Sequence, residues 1–159
     1  MYEKILVPLD GSKVGEAALG DVEELALKMK PATPVEVTLL QVVTPMTYDF
    51  LTEDQDAQLP YNDLDLKKIE RYAQQYLDRI ASGLRSKGIN VKTMVAEGHE
   101  AEEIIKAAQD TQADLIAMST HGRSGLRRWA LGSITDKVLH ESDVPVLTVR
   151  AKADKAKEK

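Results

Sequence analysis

The pattern of apolar and polar residues along the chain switches repeatedly between two periods. Short apolar runs at 5–9 and 114–118 are typical of strands buried on both faces, whereas 14–29 and 63–87 carry apolar residues at helical spacing. Turn-forming residues separate these segments. The pattern predicts the following elements in chain order: strand 5–9, helix 14–29, strand 35–43, helix 63–87, strand 89–96, helix 100–109, strand 114–118, helix 133–140 and strand 144–149.

Strands that alternate with helices predict an α/β fold, in which helices cover both faces of a parallel sheet. Crossovers are right-handed, and the two most uniformly apolar strands, the first and the fourth, belong at the centre. We therefore expect a single open parallel five-stranded sheet of order 3-2-1-4-5. The winding reverses between strands 1 and 4, and open α/β sheets bind ligands at such a reversal, beyond the carboxyl ends of the strands.

Composition and charge restrict the chemistry. The 159 residues, 43% of them hydrophobic, suit one domain over 1–150, followed by a basic tail at 151–159 that is expected to be solvated. The absence of cysteine excludes disulfide scaffolds, cysteine-ligated zinc, iron–sulfur clusters and thiol nucleophiles. The three histidines lack the spacing of metal ligands, so no metal site is predicted. A net charge of −5 argues against general nucleic acid binding.

The cellular compartment is predicted from features that the sequence lacks. No apolar run approaches the roughly 18 residues of a membrane helix, and the first residues do not resemble a signal peptide. A chain without cysteine also fits a reducing compartment. We therefore expect a cytoplasmic protein without a membrane partner.

A glycine-containing segment follows strand 4 and carries the candidate chemistry. It runs Ser119-x-x-Gly122-x-x-Gly125, and six residues later Gly132-Ser133 precedes a predicted helix. Glycines let a backbone approach a ligand closely, and the free N–H groups at a helix N-terminus attract anions. Further groups that suit a polyphosphate are the hydroxyl of Thr135 and the side chains of Arg123, Arg127 and Arg128.

Each of these features also has a purely structural interpretation. The glycines could only shape a loop, and Ser133 could cap the helix together with Asp136 in the spacing of a capping box. Asp10, at the end of strand 1, could accept hydrogen bonds from a base or a ribose, or only form the turn or cap the first helix. His121 could donate to a phosphate or be simply solvated. The P-loop motif and the dinucleotide fingerprint are both absent.

At this point the chain resembles the universal stress protein family across about 1–150. The resemblance rests on ILVPLDGS at 5–12, ADLIAMSTHGRSGL at 113–126, LGS at 131–133 and VPVLTV at 144–149. It implies the same five-stranded fold, of the adenine nucleotide alpha hydrolase type, and points to the branch that binds ATP through Gly-x2-Gly-x9-Gly-Ser/Thr. Gly122, Gly132 and Ser133 match this motif, whereas Ser119 replaces its first glycine. Serine there would weaken binding if the position required positive φ.

The resemblance also implies how the ligand is held. Asp10 would meet the adenine or the ribose, Pro8 and Val42 would line the base pocket, and residues 132–135 would hold the phosphates. The expected ligand is ATP, or ADP or AMP, with or without Mg²⁺. The full set of implied nucleotide-binding residues is Pro8, Leu9, Asp10, Ser12, Val42, Met118, Ser119, His121, Gly122, Arg123, Ser124, Gly132, Ser133, Ile134 and Thr135.

The last strand is expected at an edge of the sheet. Val146, Leu147, Thr148 and Val149 form an apolar edge, and such edges seek a partner. The family commonly pairs this strand antiparallel, which implies a homodimer. Two main functions follow: a nucleotide-binding regulatory stress-response protein with at most slow hydrolysis, or a structural or interaction dimer whose loop is empty or holds another anion. A true ATPase or nucleotidyl transferase is a third reading, weakened by the lack of an evident general base. The acidic segment 44–62 is a candidate lid or partner surface.

Overall fold

The structure, a computed structural model, describes residues 2–29, 34–44, 63–120 and 132–151. The predicted tail after Ala151, the lid candidate after Thr44, and the site candidates His121, Gly122, Arg123 and Ser124 lie outside the described residues. The strands are β1 (Lys4–Pro8), β2 (Glu36–Val43), β3 (Asn90–Glu97), β4 (Leu115–Ser119) and β5 (Val146–Val149), and the helices are α1 (Ala18–Met29), α2 (Asp63–Ser86), α3 (Glu100–Asp110) and α4 (Ser133–Glu141).

The strands form one sheet of order β3-β2-β1-β4-β5, and every neighbouring pair is parallel. Ile5 at the centre pairs with Val37 of β2 on one side and with Leu115 of β4 on the other. This confirms the fold class and the strand order predicted from the sequence.

Side chains of the sheet alternate between two hydrophobic layers. Ile5 and Val7 pack with Leu77 of α2 in a layer that also includes residues of α1. Leu6 lies on the opposite face, in a layer with Ile104 of α3 and with residues of α4. Because helices cover both faces, the three consecutive residues Ile5, Leu6 and Val7 of β1 are buried, which explains the uniformly apolar run.

The region between β1 and α1 differs from the prediction. A single helix over 14–29 is expected, but a short 3-10 helix at Gly15–Ala17 precedes α1, which begins at Ala18. The Ala17 amide donates to the Val14 carbonyl at 3.1 Å, the tighter bonding of a 3-10 turn. Side-chain bonds of the preceding turn, described below, hold this segment in place.

Across the described ranges, the structure contains no helix with both the length and the apolar character needed to span a membrane.

Candidate functional site

A cleft opens at the carboxyl edge of the sheet, where the winding reverses between β1 and β4. Its volume of about 90 Å³ is several times the roughly 10–15 Å³ that one water molecule needs. The described residues that line it come from strand ends, the 3-10 turn and the first turns of two helices: Pro8, Leu9, Asp10, Gly15, Val42, Glu100, Ile104, Met118, Ser119, Ile134 and Thr135.

Most of the described residues that the sequence nominated meet in this cleft. They are Pro8, Leu9, Asp10, Val42, Met118, Ser119, Ile134 and Thr135. Ser12 stands behind Asp10 rather than in the lining, and Gly132 and Ser133 form the start of α4 beside it.

The Asp10 side chain organises the turn after β1. Its Oδ1 atom accepts hydrogen bonds from the Ser12 amide at 2.9 Å and from the Ser12 hydroxyl at 2.7 Å. The turn-forming interpretation of Asp10 therefore holds in the structure, and the same residue also lines the cleft. The Ser12 hydroxyl in turn accepts a hydrogen bond from the Gly15 amide at 2.9 Å.

Gly15 is a cleft residue that sequence analysis missed. A Cβ atom at this position would lie 2.1 Å from the Asp10 Oδ1 atom. The glycine is therefore required by the close approach of the carboxylate. The only hint in the sequence is a glycine soon after the Asp-Gly-Ser turn, and its role depends on a contact that the sequence alone cannot reveal.

Ser119, the last residue of β4, ties this strand to the 3-10 turn. Its hydroxyl lies within hydrogen-bond distance of the carbonyl oxygens of Val14, at 2.8 Å, and of Gly15, at 3.0 Å. Among the described non-glycine residues, only Gln112 has a positive φ. Ser119 therefore does not adopt positive φ, and the condition under which it was expected to weaken ligand binding is not met.

The two flanks of the segment 121–131 meet at the end of β4. The Gly132 amide donates to the Thr120 carbonyl at 3.0 Å, and a Cβ atom on Gly132 would lie 3.2 Å from the same oxygen. The Thr120 amide donates to the Val149 carbonyl at 3.0 Å, which extends the pairing of β4 with β5. Thr120 and Gly132, which flank this segment in the sequence, are thus joined by a hydrogen bond beside the cleft.

The start of α4 corrects the predicted capping box. Gly132 is the N-cap residue, with φ −54° and ψ 148°, and Ser133 is the first helical residue. Ser133 therefore does not occupy the cap position that the box requires, and that prediction is wrong. Asp136 instead places its carboxylate 3.6 Å from the Nδ1 atom of His140, one turn further along.

The cap therefore comes from a residue without a side chain, so no side-chain oxygen of the N-cap occupies the first amides of α4. Thr135, also in this first turn, donates its hydroxyl to the Ser119 carbonyl at 3.2 Å and is buried. Such a helix start offers N–H donors and the positive end of the helix dipole to a ligand in the cleft.

Glu100 and Ile104 are also cleft residues that sequence analysis missed. They lie four residues apart on one face of α3, in the first two turns of this helix, which follows β3. The site residues predicted from the sequence come from the ends of β1, β2 and β4, from the glycine segment and from the start of α4, but none comes from α3. A helix that begins directly after a neighbouring parallel strand starts at the same edge of the sheet, and this rule could have found Glu100.

The charges of the lining are distributed unevenly. Asp10 and Glu100 contribute carboxylates, and the described lining includes no lysine or arginine. Behind the Asp10 turn, the Tyr76 hydroxyl donates to the Glu16 carboxylate at 3.2 Å. Burial, reinforced by the negative charges of Glu16 and Asp10, raises the pKa of the Tyr76 phenol well above its usual range. Within the described parts of the chain, no group of three or more acidic or histidine side chains could hold a metal ion.

Comparison with known proteins gives a consistent family. The model of the "Universal stress protein family" matches residues 1–150. Universal stress protein MJ0577 of Methanocaldococcus jannaschii is 32% identical over 162 residues, covering 96% of this chain and 97% of that protein. The solved structure of MJ0577 has a TM-score of 0.77 and covers 96% of this chain and 99% of that chain.

More distant structures share the fold. A universal stress protein family protein from Arabidopsis thaliana, solved with AMP bound, has a TM-score of 0.64 at 14% identity, covering 99% of this chain and 97% of that chain. A universal stress protein in complex with cAMP has a TM-score of 0.63 at 16% identity, covering 95% of this chain and 98% of that chain. At these identities the similarity establishes the fold alone.

Proposed function

Because the chain belongs to the universal stress protein family, we propose that it is a regulatory stress-response protein that binds an adenine nucleotide in the cleft. The observation that carries this proposal is the position of the cleft. It lies at the reversal of the sheet, with a carboxylate on one wall and a helix start without a side-chain cap on the other.

The apolar part of the cleft suits a base. Pro8, Val42 and Met118 provide flat or flexible apolar surface, and ligand pockets usually combine such walls with a few placed polar groups. The Asp10 carboxylate is positioned by its hydrogen bonds with Ser12, and we propose that it also accepts a hydrogen bond from a ribose hydroxyl or a base amino group. Backbone groups of Val42 would read the edge of the base.

The phosphates belong at the other end, because Asp10 and Glu100 would repel them. The first amides of α4, including that of Thr135, and the hydroxyl of Ser133 would receive them there. His121, Gly122, Arg123 and Ser124 of the family motif would complete this end. We propose ATP, with or without Mg²⁺, as the main ligand, and ADP and AMP as the alternatives.

The neighbours support an adenine nucleotide at the level of the fold. One was solved with AMP and another with cAMP, both adenine nucleotides, on the same sheet topology. Asp10, a potential base, is already engaged with Ser12. We therefore propose that occupancy of the site, with at most slow hydrolysis, is the regulatory signal.

Calorimetric titration with ATP and Mg²⁺ tests the proposal, and the fluorescence of Trp129, between Gly122 and Gly132 in the sequence, gives a second readout. We expect saturable binding with a Kd near 1 μM, or about −8 kcal/mol. Asp10→Ala should weaken it by about 1–3 kcal/mol, the range of a charge-assisted hydrogen bond. Asp110→Ala, at the far end of α3, is the matched control. Absence of heat and of fluorescence change up to millimolar ATP would refute the proposal.

A second candidate function rests on the other edge of the sheet. In the described sheet β5 is hydrogen-bonded to β4 only, and its Leu147 side chain is 37% exposed. We propose that β5, through Val146, Leu147, Thr148 and Val149, pairs with a second copy of the chain in a homodimer. Thr148→Pro removes a backbone donor from this edge and should shift sedimentation from dimer to monomer. A wild-type protein that sediments as a monomer at micromolar concentration would exclude the dimer.

A further inference from the structure

A continuous series of hydrogen bonds crosses the floor of the cleft. It begins at the Asp10 carboxylate, which accepts from Ser12, and continues as the Ser12 hydroxyl accepts from the Gly15 amide. The Gly15 carbonyl then accepts from the Ser119 hydroxyl at 3.0 Å, and the Ser119 carbonyl accepts from the Thr135 hydroxyl at 3.2 Å. The series therefore joins the turn after β1 to the first turn of α4.

Ser119 connects these two parts of the described series, because its hydroxyl donates to the turn and its carbonyl accepts from α4. The steps on one side lie within residues 10–15, and the step on the other side belongs to α4. Ser119 is 8% exposed and Thr135 is 3% exposed, so water competes little for their hydrogen bonds. Glycine or alanine at position 119 would keep the backbone acceptor for Thr135 but would remove the donor to Val14 and Gly15.

We propose that Ser119 is a positioning residue of the nucleotide site, through which the Asp10 turn and the start of α4 are held in one fixed relation. The inference rests on the proposed nucleotide function and adds a requirement for one residue of this chain. The serine that replaces the first glycine of the motif strengthens ligand binding by preorganising both ends of the cleft.

The first test compares the affinities of the wild type and four variants for ATP with Mg²⁺. Ser119→Ala and Ser119→Gly should each raise Kd about 3- to 10-fold, the effect of one hydrogen bond, although the second variant restores the glycine of the family motif. Ser119→Thr retains the hydroxyl and should recover most of the affinity. Thr111→Val, which removes a hydroxyl bound to the Ala107 carbonyl at the opposite edge of the sheet, should leave Kd unchanged. Tighter binding by Ser119→Gly would overturn the proposal.

A double-mutant cycle separates positioning from a local packing effect. Asp10→Asn and Thr135→Val should be non-additive by about 2- to 10-fold in Kd in the wild-type background, as is usual within one network. In the Ser119→Ala background the same two substitutions should become additive. Coupling that persists without the Ser119 hydroxyl would mean that the ligand itself connects the two residues, and the positioning role would be refuted.

Amide hydrogen exchange in the ligand-free protein keeps this inference distinct from the proposed function. Ser119→Ala should speed exchange of the Gly15 amide several-fold, because the turn opens locally. The Gly88 amide, which donates to the Arg85 carbonyl after α2, should be unaffected. An unchanged Gly15 rate overturns the role of Ser119 whether or not ATP binds. A wild-type protein that does not bind ATP, in contrast, overturns the proposed function.

Discussion

Replacing Gly15 by alanine is expected to displace the Asp10 carboxylate from the cleft. The added Cβ atom would lie 2.1 Å from Oδ1 and 3.0 Å from Cγ of Asp10, so Oδ1 must move by more than about 1 Å to reach an ordinary non-bonded distance. The carboxylate is the end of a short side chain and can rotate. Rotation breaks its two hydrogen bonds with Ser12, which are 2.9 and 2.7 Å long.

The magnitude follows from these two bonds. Hydrogen bonds to a charged group contribute about 1.5–3 kcal/mol each, and water replaces part of them at this partly exposed turn, so we expect a loss of about 2 kcal/mol. Alanine also lowers the conformational entropy of the unfolded chain, which stabilises the folded protein by about 0.4–1 kcal/mol. Gly15→Ala should therefore lower the free energy of unfolding by about 1–1.5 kcal/mol, and should weaken ATP binding about as much as Asp10→Ala does.

Urea unfolding of the variants in a double-mutant cycle tests whether the added Cβ atom displaces the Asp10 carboxylate. In the Asp10→Ala background no carboxylate remains to be displaced, so Gly15→Ala should be neutral or stabilising. Gly20→Ala is the matched control, because a Cβ atom at this position of α1 meets nothing within 4 Å. It should stabilise both backgrounds by about 0.5–1 kcal/mol. An equal effect of Gly15→Ala with and without the Asp10 carboxylate would refute the reasoning.

Three further substitutions test the surroundings of the site. Tyr76→Phe should flatten the loss of stability above about pH 10. The phenol pKa of Tyr76 is raised in the folded state, so this phenol ionises there only in the unfolded chain. Urea unfolding at alkaline pH measures the slope, and a wild-type slope in the variant would contradict this reasoning. Gln41→Met should raise the free energy of unfolding by about 1 kcal/mol in urea, because the buried Gln41 Oε1 atom has no hydrogen-bond partner in the described structure; a loss of stability would contradict this. Asp114→Ala should lower the free energy of unfolding by about 1–2 kcal/mol, because the carboxylate accepts hydrogen bonds from the backbone amides of residues 3 and 4. Thermal or urea unfolding measures the change, and an unchanged midpoint would show that these bonds contribute nothing.

The fold was predictable because each strand has a recognisable local pattern of apolar residues. The run at Ile5, Leu6 and Val7 is apolar because helices cover both faces of β1, and this burial is the same property that places the strand at the centre. Where a segment depends on side-chain bonds, the prediction was less accurate. The 3-10 turn at Gly15–Ala17 was expected to be α-helix, since its apolar spacing is helical and the bonds around Ser12 are invisible to periodicity.

The predictable residues of the site lie at the ends of the central strands or, like Val42 and Thr135, match the pattern of the family. Asp10 and Ser119 were found because the sheet order puts their strands side by side. Glu100 and Ile104 were missed because they enter the cleft from a helix after β3, a strand that is not adjacent to the reversal.

Position 119 shows why a motif is an incomplete description of a site. Serine in place of the first glycine of the motif would weaken binding only if the position required positive φ. In the structure φ at Ser119 is not positive, so the residue has no conformational need for glycine. Its hydroxyl instead has two carbonyl acceptors, Val14 and Gly15, more than 100 residues earlier in the chain. A serine with these contacts adds a connection that glycine cannot supply. Its effect on ligand affinity therefore depends on whether the turn that holds Asp10 needs that connection to stay in place.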